Sequence, residues 1–208
     1  MLEFNFLPSR TLHPSRHAAF ATLDLTPSTS MTRDWQRIWH KHWSRHILRR
    51  LDLGMVYETH HPELALGLLP VASLTTLARR VGAVLCGPSL RQTILGPRVR
   101  ALRASLGSDL LRFVQHDTVP CGAHEYDGGA ALMHERDMLK VLESLGYGCL
   151  LRCVSGAPAQ VMRRIELKLP SDVRESDSPL TAEAAWELCL AVLKKMDATW
   201  CSFFHEIR

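Results

Sequence analysis

The chain of 208 residues is 46% hydrophobic and 22% charged, a composition that excludes a disordered protein and is long enough for one large or two small domains. Its formal net charge of +4 is smaller than a dedicated nucleic-acid-binding domain usually carries, and its six cysteines do not indicate a disulfide scaffold. Because it has neither a secretory signal nor an apolar run of the ~18–20 residues that span a bilayer, we expect a protein that is cytoplasmic or at most peripheral to a membrane.

The first thirty residues predict a short N-terminal arm that docks onto the body of the protein. Leu2, Phe4 and Phe6 occupy every second position, and Pro14 then starts a segment with one apolar helical face. Left exposed, the two phenylalanines would add apolar surface at a cost of ~25 cal/mol per Å². We therefore expect both Phe4 and Phe6 to be docked.

A long helix is predicted from Thr32 to about Leu51, because apolar residues recur there at intervals of three and four and Gly54 follows. Basic residues also recur every four residues along it. Like charges at this spacing repel by about 0.2–0.5 kcal/mol per pair, so an acidic neighbour or partner would relieve the repulsion. We predict these residues to be partner-binding, with a merely solvated helix face as the alternative. They are Arg33, Arg37, Lys41, Arg45 and Arg49.

Between Pro62 and His116 the sequence predicts a run of short helices, with Pro in first-turn positions and Gly near the ends. Turn-forming residues then dominate 117–129, which we predict to be a connecting loop. The predicted organisation is an N-terminal helical part, 1–116, with a C-terminal helical part, 130–208, packed on it. A single continuous domain is the alternative.

The C-terminal part begins with a predicted helix from Ala130 to Leu145, which we expect to end at the Gly146/Gly148 pair. A second helix is predicted from Pro158 to Leu169. Within it, the stretch Arg164–Leu169 alternates strictly between polar and apolar residues, so a strand is the alternative there.

The remainder is predicted to be a polar linker at 170–179, followed by a helix capped by Thr181. Trp200, Phe203 and Phe204 are expected to dock onto the body of the protein. The predicted fold class is mainly α, an irregular bundle of short and medium helices with at most one small β element.

Three pairs of His or Cys have spacings that metal ligands use, yet none reaches the three or four ligands of a zinc site. We interpret them as solvated or packed histidines, a plain loop, and buried thiols, and predict no metal and no cofactor. No nucleophile elbow or phosphate-binding loop occurs, so no catalytic residue and no enzyme are predicted, with a small metal-dependent hydrolase as a remote alternative. The pairs are His42 with His46, Cys121 with His124, and Cys149 with Cys153.

Four stretches carry a resemblance to a known family, and they are 4–8 with 13–14, 77–95, 167–170, and 188–195. They resemble the YscK/SctK family of the bacterial type III secretion sorting platform. The resemblance implies a virulence-associated scaffold that bridges two partners: the cytoplasmic, forkhead-associated-like domain of the inner-membrane ring protein and the pod protein. It further implies a place at the cytoplasmic face of the inner membrane through those partners, a need for the protein in assembly and secretion, and no catalytic or cofactor residue. The alternative is a helical nucleic-acid-binding or regulatory protein that uses the basic helix face.

Overall fold

The computed structural model describes residues 1–21, 32–58, 60–92, 96–116, 138–198 and 200. Helices dominate these residues and no strand occurs among them, which confirms the predicted mainly α class of short and medium helices. The helices are α1 (Leu2–Phe6), α2 (His17–Phe20), α3 (Arg33–Arg50), α4 (Glu63–Leu68), α5 (Val71–Leu85), α6 (Gly87–Gln92), α7 (Gly96–Leu106), α8 (Ser108–His116), α9 (Met138–Cys153), α10 (Ala159–Leu167) and α11 (Ala182–Met196).

The chain forms two compact units, and each draws on distant parts of the sequence. The first unit contains Met1–Val71 and Ala157–Asp172, and the second contains Ala72–Gly156 and the described residues from Val173 onward. The connecting loop predicted at 117–129 lies outside the described residues. The division into 1–116 and 130–208 therefore stays a prediction.

The N-terminal arm of the first unit is docked through one of its two phenylalanines. Phe4 is buried, whereas Phe6 remains 47% exposed, so the expectation for Phe6 is wrong. The reason is that Leu2, Phe4 and Phe6 lie on a helix, where residues two apart point about 200° from each other. This unit also contains a hydrophobic core cluster of buried residues, namely Leu12, Phe20, Trp43, Ile47 and Leu167.

Helix α10 and the residue that follows it each contribute a buried cation that donates to backbone carbonyl groups. Arg164 donates through Nε to the carbonyl oxygen of Phe4 at 3.1 Å and through Nη2 to that of Gly54 at 2.6 Å. Lys168, just beyond the helix, donates through Nζ to two carbonyl oxygens at the C-terminal end of α4. Two polar positions of the alternating stretch, Arg164 and Lys168, are thus buried, and Glu166 is half-buried. The stretch is helical as far as Leu167, so the strand alternative is wrong.

Burial lowers the pKa of Lys168 from 10.5 to about 8, against a smaller opposing effect of Glu3. Between about pH 8 and 10.5 the unfolded chain holds a proton that the folded chain lacks, so this group makes the free energy of unfolding rise with pH. Below that window the cost of burying the ammonium is fully present. The neutral amine retains two N–H groups, enough for both carbonyl partners.

In the second unit, α9 does not end at Leu145 as predicted but continues to Cys153. A Cβ atom at Gly146 would lie 1.8 Å from the carbonyl oxygen of Ala78 on α5, and one at Gly148 would lie 2.9 Å from the 3₁₀ turn at Glu175–Asp177. These glycines therefore allow close packing of the backbone instead of breaking the helix.

Most of the predicted polar linker at 170–179 packs against α9. Arg152 Nη1 donates to Glu175 Oε1 at 2.6 Å, and the Cys149 Sγ and Ser178 Oγ atoms are 3.3 Å apart. The helix that follows begins as predicted, with Thr181 Oγ1 accepting a hydrogen bond from the Ala184 amide. This segment is therefore part of the folded unit.

Candidate protein-binding surface

Helix α3 is fixed to the first unit by one face. Trp43 is buried and its Nε1 donates to the carbonyl oxygen of Phe20 at 2.9 Å, while Ile47 is fully buried. Ser44 Oγ lies 2.8 Å from Ser9 Oγ in a buried hydrogen bond. These contacts fix which side of α3 faces outward.

All five predicted partner-binding residues of α3 are exposed. Among the residues that the structure describes, none of the five side chains forms an ion pair or a hydrogen bond. They follow a spiral, because positions four apart on an α-helix are displaced by about 40° around its axis. Arg33 and Arg37 therefore lie toward one flank, whereas Lys41, Arg45 and Arg49 lie about 120–160° from the buried Ile47.

Two large apolar side chains share this outward side. Trp35 is 64% exposed and Ile38 is 48% exposed, and they lie about 120° and 180° from Ile47 around the helix axis. Most large apolar residues of a protein are more buried than this. We call the set Trp35, Ile38, Lys41, Arg45 and Arg49 the α3 outer face.

The positive charge of the protein is concentrated in this helix. The sequence of α3 contains six Lys or Arg residues and one Asp, a formal charge of +5. Since the whole chain carries +4, the other 190 residues together carry −1. Acidic partners should therefore be attracted to α3 more than to the rest of the chain.

The histidines of α3 do not form a metal site within the described chain. His42 is exposed and His46 half-buried, and neither joins a group of three ligands. His40 Nδ1 is instead 2.9 Å from Ser9 Oγ, and burial, with smaller contributions from Arg10 and His17, lowers the pKa of His40.

The cysteine candidates divide between buried and undescribed positions. Cys149 and Cys153 are buried, as predicted. The Cys153 and Cys189 Sγ atoms are 3.3 Å apart, and this hydrogen bond, followed by burial, raises the pKa of the Cys189 thiol. Cys121 and His124 lie outside the described residues.

One group of three possible metal ligands was not identified from the sequence. Glu58, His60 and His61 place one ligand atom each within 4.8 Å of the others. The sequence does show a carboxylate close to two adjacent histidines. A search for histidines four apart on a helix, or for ligand pairs that include a cysteine, does not find this pattern.

These features define an α-helical protein whose most basic helix presents a cationic and partly apolar surface. Within the described ranges, no helix combines the length and the apolar character needed to cross a bilayer. The arrangement suits recognition of another macromolecule.

Residues 1–205 match the family model described as YOP proteins translocation protein K (YscK). The chain therefore belongs to the YscK family, as the resemblance indicated, and is a protein of type III secretion. This family is one of structural or adaptor proteins and is not a known enzyme family. No curated protein and no solved structure matches the chain.

Proposed function

We propose that this chain is a cytoplasmic adaptor of the type III secretion sorting platform. It bridges the cytoplasmic, forkhead-associated-like domain of the inner-membrane ring protein to the pod protein, and is held at the inner membrane by these partners. Assembly of the platform and protein secretion depend on the bridge.

The observation that carries this proposal is the α3 outer face, on a chain of the YscK family. An adaptor needs exposed surface that gains free energy when a partner covers it. Covering Trp35 and Ile38 removes apolar area from water at ~25 cal/mol per Å², and Lys41, Arg45 and Arg49 steer an acidic partner toward that contact. We assign the α3 outer face to one of the two partners.

The test neutralises the cations while keeping the helix. In the variant Lys41→Gln, Arg45→Gln and Arg49→Gln, the side chains remain long and favourable for helix formation. With a contribution of about 0.5 kcal/mol for each exposed charge pair, affinity for one partner should fall about tenfold. Calorimetry against the ring domain and the pod protein separately identifies the affected partner.

The matched control neutralises three other exposed cations, with Arg100→Gln, Arg103→Gln and Arg112→Gln. Both triple variants change the formal net charge from +4 to +1, so an effect of total charge would appear in both. The control should bind both partners like the wild type. If the wild type, the α3 variant and the control variant bound each partner with equal affinity, the assignment of the α3 outer face to a partner would be refuted.

The nucleic-acid alternative makes a different prediction about the same helix. Binding to duplex DNA of arbitrary sequence, falling steeply with salt and lost in the α3 variant, would favour it over the adaptor. For the adaptor we expect selective binding of the two secretion proteins. Trp35→Ser with Ile38→Ser should weaken that binding even in high salt, where charge steering is screened.

A further inference from the structure

A carboxylate and two imidazoles converge in the segment before α4. Glu58 Oε2 lies 3.3 Å from His61 Nε2 and 3.7 Å from His60 Nε2, and the two imidazole ring centres are 4.3 Å apart. Glu58 and His60 are exposed and His61 is half-buried. A single ion pair would need only one of these histidines, whereas here both Nε2 atoms face the same oxygen.

The separations are close to those of a tetrahedral metal site. Zinc is bound by imidazole nitrogen and carboxylate oxygen at about 2.0–2.2 Å, which places ligand atoms about 3.3–3.5 Å from one another. The Glu58–His61 separation already has this value, and the Glu58–His60 separation exceeds it by a few tenths of an ångström. All three ligand atoms lie within 4.8 Å of one another, and rotation of the exposed Glu58 and His60 side chains would close the remaining gaps.

The backbone on both sides of the segment is fixed by hydrogen bonds. Before it, the buried Asn5 side chain donates to the carbonyl oxygen of Val56 and accepts from its amide, both at 3.0 Å. After it, the His61 carbonyl oxygen accepts from the amide of Leu64, which is buried in α4. Glu58 thus lies two residues from one anchored point, and His61 is itself the other, which reduces the entropy lost on binding.

We propose that Glu58, His60 and His61 form a binding site for a zinc ion. Two nitrogen donors and one oxygen donor suit a transition-metal ion, whereas magnesium and calcium prefer all-oxygen sites. Three protein ligands leave a fourth position for water or for a donor group of a partner. This inference is independent of the proposed adaptor role, and it replaces the expectation of no metal that the other His and Cys pairs suggested.

The test titrates zinc sulfate into the full chain, purified without a polyhistidine tag, by calorimetry. We expect one zinc per chain, and no heat from magnesium sulfate at the same concentrations. The variant His60→Ala with His61→Ala should bind zinc at least tenfold more weakly, and Glu58→Gln should also weaken binding.

The matched control is His42→Ala with His46→Ala, which removes two histidines that lie four apart on α3. It should bind zinc like the wild type. Circular dichroism of every variant checks that the helices are retained, and Glu58→Gln keeps the shape of the segment if the double variant is less stable. Absence of zinc binding by the wild type at 100-fold excess, or equal affinity in the His60/His61 variant, would overturn the proposal.

Discussion

The crossing of α5 and α9 rests on two glycines that contact the opposite helix reciprocally. A Cβ atom at Gly82 would lie 2.0 Å from the Leu142 carbonyl oxygen, and one at Gly146 would lie 1.8 Å from the Ala78 carbonyl oxygen. Both contacts involve backbone atoms, which cannot rotate away as a side chain can. We therefore expect Gly82→Ala to destabilise the second unit.

The expected size follows from two opposing effects. Alanine favours a helix over glycine by up to about 1 kcal/mol, which opposes the destabilisation. Ordinary contact begins near 3.4 Å, so a methyl group at Gly82 requires the helices to separate by about 1.4 Å. Such a shift loosens buried neighbours, among them Leu77 and Leu142, and overpacking of this kind typically costs 1–3 kcal/mol or more. We expect a net loss of about 1–2 kcal/mol.

Thermal unfolding followed by circular dichroism measures this loss as a fall in Tm of several degrees, at about 2–4 °C per kcal/mol for a chain of this size. Gly156→Ala is the control, because a Cβ atom at Gly156 meets nothing within 4 Å. The double variant Gly82→Ala with Gly146→Ala should lose less than the sum of the single losses, since one separation relieves both clashes. If Gly82→Ala and Gly156→Ala unfold at the same temperature, the argument from close approach is wrong.

Three further changes probe the first unit. Lys168 should make the free energy of unfolding rise by up to about 1.4 kcal/mol per pH unit between about pH 8 and 10. Lys168→Met should remove this contribution, as measured by urea unfolding at several pH values. An unchanged dependence of the free energy of unfolding on pH would contradict the prediction. Asn5→Ala should cost about 1–3 kcal/mol in urea unfolding, because the amide and carbonyl of Val56 lose their partner in a buried position. Trp43→Phe should lower Tm because the carbonyl oxygen of Phe20 loses its donor, and an unchanged Tm would show that water replaces the indole.

The sequence predicted helices best where an apolar period and a terminal signal agreed. For α3, Thr32 stands at the N-cap and the helix ends at Arg50, as the spacing of Trp and Ile residues indicated. The predicted helix end at Gly146 and Gly148 was wrong. A glycine that ends a helix and a glycine that allows close approach of a neighbouring backbone look the same in one sequence. For Gly146 the difference depends on a contact with Ala78, 68 positions away.

The candidate surface was predictable in its charge but not in its shape. The period of four identified the cations of α3, and all are exposed. Their spiral, and the exposure of Trp35 and Ile38 beside them, depend on which side of the helix is anchored. That anchoring comes from Ser9 and Phe20, whose pairing with α3 no local pattern encodes.

The first unit contains buried cations that stabilise the fold and exposed cations to which we assign partner binding. On and after α10, Arg164 and Lys168 are buried, and their N–H groups are satisfied by backbone carbonyls, so removing them leaves internal acceptors without donors. On α3, Arg45 and Arg49 are exposed and make no ion pair among the described residues, so neutralising them should change folding little. Changes on α10 should therefore lower stability, whereas changes on α3 should lower only partner affinity. If neutralised α3 cations instead lowered Tm as much as Arg164→Met does, the α3 outer face would be a structural element and not a binding surface.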